Sequence, residues 1–487
     1  MNVKLEMLSA LEYGKLINQK DLSPVEGIEY FIDRIERINP KINAFTYTKF
    51  DEALHEAREL SKKLSKGQYG GLFAGVPVAL KDFLPSKKGW TNSHGGVEIL
   101  TKEDDCDSEF YKAAKKLGCI ALGKTNAPAF GFSGTCINEQ YGATRNPFDL
   151  SRTSGGSSGG TAAAVAAGLI LIGEGGDAGG SIRIPSAWCN LFGMKPSLGT
   201  VPSVIRPDAW SATHPYCFNG CLTKTVEDSA IMLRTMSYYD SRDPHSLPIN
   251  SNKDFYQLLS YSDLAELNIG YTYDFDLFPS YKDVSDAMTA SILLLKSLGA
   301  SVEPIHFDWN VSLQEMIDCW AWGLSLDSVI DITRWKYEGI DLLNDYTDYL
   351  PSEFIHYINV AKQQDVHDMF RFNCVRTNIL DNFENIFDQY DAIVAPTALC
   401  SPMLLDKKGY VIEEHSSDSS SSFIDFATTF IVNFVGYPAA SVPCGMDAND
   451  MPFGLHIIGK QFQDEDVLNI AHCIQKKKSW SYLYPEL

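Results

Sequence analysis

No C-x-x-C pair occurs in this 487-residue chain. Its 11 cysteines are scattered singly, and the closest pair, Cys217 and Cys221, has no His or Cys partners at zinc-site spacing. That argues against a disulfide framework and a zinc finger, and it fits a reducing, intracellular compartment. Long apolar runs are also missing. The longest, Ala162–Ile172, is too short to cross a bilayer and reads as a buried helix. The first residues, MNVKLEMLSALEYGKL, lack the apolar block and small-residue cleavage site of a signal peptide. A cytoplasmic protein without membrane attachment is therefore expected. Basic residues are few, 41 against 62 acidic, giving a formal net charge of −21. Such a field repels phosphate backbones and anionic membranes, so nucleic acid is not an expected partner. No internal repeat is visible. What remains is an ordinary globular balance, 45% hydrophobic and 21% charged, in a chain long enough to bury a large core.

Periodicity supplies the elements. Ser23-Pro24-Val25-Glu26 reads as a capping box with proline at the first helical position. Val25, Ile28, Ile32 and Ile35 continue as one helix face, with Pro40 as the stop. A second helix is expected near Asp51–Leu64. Val76–Leu80 is an apolar run that suits a strand buried on both faces, ending on Lys81. Asp107–Leu117 predicts a helix capped by Gly118, and Cys119–Leu122 the next strand. This alternation implies an α/β fold with parallel strands. Farther on, Ser291–Leu298 and Asp464–Gln475 read as helices. Gly299–Pro304, Ala392–Pro396 and Ala440–Pro443 read as strands. Ser416–Ser422, SSDSSSS, reads as a low-complexity surface loop.

Two glycine-rich segments draw attention. Gly118-Cys-Ile-Ala-Leu-Gly123-Lys124-Thr125 spells a phosphate-binding loop. Such a loop must follow a strand and open a helix, so that free N–H groups face the phosphates. Here a helix precedes it, its middle is an apolar strand, and Pro128 follows. A helix cap plus a buried strand is the better reading, with nucleotide binding as the alternative from another class. The second segment, Ser154-Gly155-Gly156-Ser157-Ser158-Gly159-Gly160-Thr161, has a linker's composition. It runs straight into an apolar helix, which fits a tight turn with close backbone approach instead.

Asp177-Ala178-Gly179-Gly180-Ser181-Ile182-Arg183 follows. Glycines before a serine free N–H groups to converge on a developing oxyanion, with Ser181 as nucleophile. A serine needs a base. None of the 10 histidines sits in a triad context near these loops, and no G-x-S-x-G elbow surrounds Ser181. Lys81 is the better candidate, because burial at a strand end lowers a lysine pKa and frees it to take a proton. A strand-end lysine paired to Asp82 is the competing reading.

Taken together, these segments resemble the amidase signature family. Gly75-Val-Pro-Val-Ala-Leu-Lys81-Asp82 matches its lysine motif, Gly155-Gly-Ser-Ser-Gly-Gly160 its Gly-Ser signature, and Gly179-Gly-Ser-Ile-Arg-Ile-Pro185 its nucleophile motif. Leu-Gly-Lys-Thr-Asn126 is another family segment, which explains the false phosphate loop. Tyr141–Pro147, Phe192–Pro196, Gly436–Pro443 and Pro452–Leu455 extend the likeness. The resemblance implies one amidase domain over 1–487, with a mixed sheet wrapped in helices. Within it lie a helical segment at 1–70, a catalytic core at 71–225, a substrate-shaping region at 226–430 and a return to the core at 431–487. It further implies Lys81 as neutral base, Ser157 on a cis peptide as proton relay and Ser181 as the residue acylated. Backbone N–H groups of Ala178, Gly179, Gly180 and Ser181 would form the oxyanion hole. Neither metal nor cofactor is implied. Asp177 and Arg183 would brace the loop, and Ser158 would donate a supporting hydrogen bond or merely shape the turn.

Some positions depart from the pattern. Ala178 replaces Thr or Ile, Asn190 a Gly, Ala129 a Glu and His456 a Gln, and none of these removes a catalytic group. The partner implied is a small-molecule amide, and a homodimer stays open. Asp177–Ser181 is similar to the 6-aminohexanoate cyclic-dimer hydrolase branch. The alternative within the family is the catalytic subunit of a glutamyl-tRNA amidotransferase. Its usual Asn-Leu-x-Arg-Tyr-Asp-Gly-like stretch is missing from Trp320–Ile340. Trp210, Trp309, Trp320, Trp322 and Trp335 are expected mostly in the core, with a minority lining a pocket for an apolar or aromatic acyl group.

Overall fold

The computed structural model describes residues 4–487 except 84, 207, 212, 214–215, 252, 280–281, 413–427, 481–483 and 486. The Ser416–Ser422 segment therefore lies outside the described residues.

Thirteen strands are described: β1 (Phe45–Thr48), β2 (Pro77–Lys81), β3 (Thr91–Asn92), β4 (Lys102–Glu103), β5 (Ile120–Thr125), β6 (Ile172–Asp177), β7 (Phe192–Lys195), β8 (Phe218–Thr223), β9 (Asn268–Tyr271), β10 (Ser301–Pro304), β11 (Ala392–Pro396), β12 (Ala439–Met446) and β13 (Pro452–Gly459). Eleven form one mixed sheet in the order β1-β5-β2-β6-β8-β7-β12-β13-β11-β9-β10, while β3 and β4 pair separately. This is the α/β architecture expected, a mixed sheet surrounded by helices. Strands β5, β2 and β6 run parallel, with Val78 opposite Ile172 and Lys81 opposite Thr125. The carboxyl ends of β2 and β6 therefore open on the same side, where α/β sheets carry their ligands.

The helix Gly159–Ala166 explains why the glycine-rich segment is rigid. All eight of its residues are buried. A Cβ at Gly173 of β6 would lie 2.3 Å from Thr161 Cγ2, so helix and strand approach only because that strand residue has no side chain.

The N-terminal helix spans Pro24–Ile42, with Pro at its start as expected, but Ser23 makes no side-chain cap bond and Pro40 lies inside the last turn. A proline so near the end removes a single ladder bond. The stop is Asn43, which adopts φ 53° and donates its N–H to Asn39 O. The capping box forms instead at Ser9 and Glu12. The second helix, Phe50–Ser65, and the helix Glu109–Leu117 with left-handed Gly118 match their sequence patterns. None of the described helices is long and apolar enough to cross a membrane.

Candidate active site

Lys81 ends β2 and is 4% exposed. Its Nζ makes a 2.7 Å hydrogen bond with Ser157 Oγ. Burial lowers its pKa from the usual lysine value to about 8, against the opposing influence of Cys136, Glu174, Asp177 and Cys217. Its own backbone N–H donates to Glu174 Oε2 at 3.0 Å. Burial raises the Glu174 pKa to about 7. The Asp82 pairing is not formed, because Asp82 accepts from Ser93 N–H and Ser93 Oγ at 2.9 and 2.5 Å.

Ser157 follows a cis Gly156–Ser157 peptide and is 3% exposed. Ser158 donates its N–H to Ser181 O at 3.2 Å. Its hydroxyl exchanges weak bonds with Gly176, at 3.5 Å to the carbonyl and 3.4 Å from the N–H. Ser158 thus clips the Gly-Ser turn to β6 and to the loop 177–181. No hydrogen bond joins the Ser157 and Ser181 hydroxyls directly.

The loop 177–181 is held from outside by its carbonyls. Asp177 O accepts from Asn433 Nδ2 at 3.0 Å, Ala178 O from Trp320 Nε1 at 3.1 Å, and Gly179 O from Thr429 Oγ1 at 2.6 Å. Gly180 O accepts from Ile184 N–H at 2.7 Å. A planar trans peptide points its C=O and N–H in opposite directions, so tying four successive carbonyls aims the N–H groups of Ala178, Gly179, Gly180 and Ser181. Gly180 N–H is already committed, donating to Asp177 Oδ1 at 2.8 Å. Among the described residues, the N–H groups of Ala178, Gly179 and Ser181 meet no acceptor.

Asp177 and Arg183 form a two-toothed ion pair with both side chains fully buried, Nε to Oδ2 at 3.0 Å and NH2 to Oδ1 at 2.9 Å. Burial alone pushes the Asp177 carboxyl up. The Arg183 charge and the hydrogen bonds from Arg183 and Asn433 outweigh it and hold the carboxyl well below the usual range. Arg183 also donates to Thr429 O, His456 Nε2 and Asn433 Oδ1. Burial, then the Arg183 charge, holds His456 well below its usual pKa, so its neutral ring accepts from the guanidinium. His456 thus joins the buried network that Arg183 holds together.

Sequence reading missed Thr429, Asn433 and Glu174. The first two had a signal: two polar residues four apart in the otherwise apolar stretch around Phe430–Val435 share one helix face, and buried polar groups need partners. Of the five tryptophans, Trp322 and Trp335 are core, Trp309 stacks on Phe307 at 4.8 Å, and Trp210 is 67% exposed. Trp320 is the one that meets the loop. A cavity of about 40 Å³ adjoins the start of β8, lined among others by Ser197, Tyr216, Cys217 and Phe218. Phe218 is paired with Asp177, which places this cavity beside the loop 177–181. The phosphate-loop reading fails on geometry. Gly118 caps a helix, Ile120–Thr125 lies between β1 and β2, and Lys124 is buried against Asp104 at 2.6 Å. Among the described residues, no group of three or more His, Cys, Asp or Glu side chains could hold a metal ion.

Comparison with known proteins gives the family. The family model described as Amidase matches residues 26–468. The chain belongs to the amidase signature family and is an amidase, acting on carbon–nitrogen bonds. It is 33% identical to a bacterial aryl acylamidase of known structure, covering 99% of this chain and 98% of that one, with a TM-score of 0.93. The structure of a 6-aminohexanoate cyclic dimer hydrolase superposes with a TM-score of 0.87 at 25% identity, over 99% and 98% of the two chains. Among curated relatives, a glutamyl-tRNA(Gln) amidotransferase subunit of a Nostoc species is 32% identical over 99% of this chain and all of its own length. An acylamidase of Rhodococcus erythropolis is 30% identical over 98% and 97%.

Proposed function

We propose that this amidase hydrolyses small carboxylic amides through an acyl-enzyme on Ser181, with Ser157 as relay and Lys81 as base. The observation that carries the reading is the buried 2.7 Å contact between Lys81 Nζ and Ser157 Oγ, next to a serine loop whose N–H groups are aimed by their tethered carbonyls. Ser181 Oγ attacks the amide carbon as its proton passes to Ser157 Oγ and the Ser157 proton to neutral Lys81. Rotation of the Ser157 or Ser181 hydroxyl on substrate binding completes this path. The oxyanion is met by the N–H groups of Ala178, Gly179 and Ser181, with Gly180 N–H left to Asp177. The C–N bond breaks as the relay returns the proton to the leaving amine. Water then attacks the ester by the reverse path and frees the acid.

Ser181→Ala and Lys81→Ala should each abolish hydrolysis while the fold survives. A fluorophosphonate probe should label wild type at Ser181, and labelling that persists in Ser181→Ala sinks the assignment. Activity profiling against linear, cyclic and aromatic amides identifies the acyl group. The TM-score of 0.93 to an aryl acylamidase supports an aryl amide among them.

The amidotransferase reading is kept in view by the 32% identity to the Nostoc protein. Against it stands the missing Asn-Leu-x-Arg-Tyr-Asp-Gly-like stretch in Trp320–Ile340. Glutamine hydrolysis that appears only with added partner subunits would favour it. Hydrolysis of simple amides by the isolated chain favours the reading proposed.

A further inference from the structure

The segment expected to shape the substrate pocket also supplies a donor to the catalytic loop. Trp320 lies in the helix Leu313–Tyr337, far in sequence from the signature motifs. Its indole N–H donates to Ala178 O at 3.1 Å. Its ring covers the next residue so closely that a Cβ at Gly179 would lie 2.6 Å from Trp320 Cζ2. Phe430 backs the indole at a centroid distance of 5.9 Å.

We propose that Trp320 is a positioning residue for the oxyanion hole: by holding the Ala178 carbonyl it turns the Ala178–Gly179 peptide so that the Gly179 N–H faces the reacting carbonyl. The logic is that of one rigid peptide plane, whose carbonyl and N–H cannot be oriented independently. Thr429 does the same for the following peptide, but the N–H of that unit, on Gly180, is spent on Asp177 Oδ1 at 2.8 Å. The two tethers therefore differ in kind. Trp320 governs a donor that meets no acceptor among the described residues, whereas Thr429 governs one already engaged. Gly179 also has to be glycine here, since any side chain would push the indole off the carbonyl it holds.

This inference rests on Ser181 being the nucleophile, and its test separates the two. Trp320→Phe keeps an aromatic ring and deletes the N–H. Removing an oxyanion donor outright costs roughly a hundredfold to a thousandfold in kcat. Loosening one should cost about ten- to a hundredfold in kcat, with KM changed less than about twofold. Fluorophosphonate labelling of Ser181, which passes through a similar anionic centre, should slow by a comparable factor. Thr429→Val should lower kcat by a smaller factor than Trp320→Phe. If Trp320→Phe does not fold, benzothienylalanine at position 320, which swaps the ring N–H for sulfur and preserves shape, carries the same expectation. Unchanged kcat and labelling rate in a folded variant, or a rise in KM alone, overturns the proposal for Trp320 while wild-type labelling at Ser181 keeps the nucleophile. Wild type labelled elsewhere overturns both.

Discussion

Lys81→Met should leave an inactive protein that is more stable than wild type at neutral pH, and the gain should fade in alkali. Lys81 is 4% exposed, so solvent does little to soften the burial of its charge. The folded-state pKa is about 8 against 10.5 for the free side chain. A depression of this size is worth about 3 kcal/mol, at about 1.4 kcal/mol per unit. The sign follows from proton counting. Between pH 8 and 10.5 the unfolded chain binds the proton more fully than the folded one, so stability rises with pH across that window. Below pH 8 the penalty is complete, and above 10.5 it is gone. Methionine has nearly the same shape and no charge to bury. It forfeits the hydrogen bond to Ser157, worth about 1–2 kcal/mol. The net gain is then about 1–2 kcal/mol at pH 7, shrinking as pH rises past 8. Urea midpoints of both proteins at pH 7, 8.5 and 10, with matched buffers, measure it directly. A variant less stable than wild type at pH 7, or a difference that does not change with pH, would refute the claim that Lys81 is held in a state poised to lose its proton.

The same depressed pKa predicts the shape of the rate profile: kcat/KM should rise about fiftyfold from pH 6 to 8 and level off above, as the neutral fraction grows from about 1% to half. A profile flat over that range would remove Lys81 as base. Lys124→Met should destabilise the fold by about 3–5 kcal/mol without touching the chemistry, because it strands the buried Asp104 carboxylate, which is now neutralised at 2.6 Å. Equilibrium unfolding reads this, and a loss under about 1 kcal/mol would show that Asp104 is content with its remaining donors, Ser86, Asn92 and the Lys87 N–H.

Much of the structure around Lys81, Ser157 and Ser181 was legible because its residues are constrained locally. Val76–Leu80 had to be a doubly buried strand, and Lys81 at its end is buried with it. The alanine-rich helix could not follow a flexible linker. The Gly118–Thr125 context disqualified a phosphate loop before any coordinates did. The helix Leu313–Tyr337 was harder to see. Its apolar and polar residues do not segregate to one face, since it packs against the loop 177–181 through Trp320 and the core through Trp322, and periodicity fails where a helix is touched from several sides. Residues such as Thr429 and Asn433 act by reaching carbonyls about 250 positions away. Local pattern flags them as buried polar groups but does not name their partners. Pro40 misled for the opposite reason. Its local preference is real, yet near a helix end it costs too little to decide the boundary.

The two outermost strands of the sheet, β1 and β10, are each four residues long. β10 reads Ser-Val-Glu-Pro with three of its four residues exposed, and its proline lacks the N–H that another strand would need. Eleven strands of hydrogen-bonding surface thus terminate in stubs. A sheet this wide offers little template for a misfolded neighbour. A second copy of the chain that prolonged the sheet would have to pair with one of these stubs, so concentrated solutions of this enzyme should resist fibre formation even where its core strands are strongly apolar.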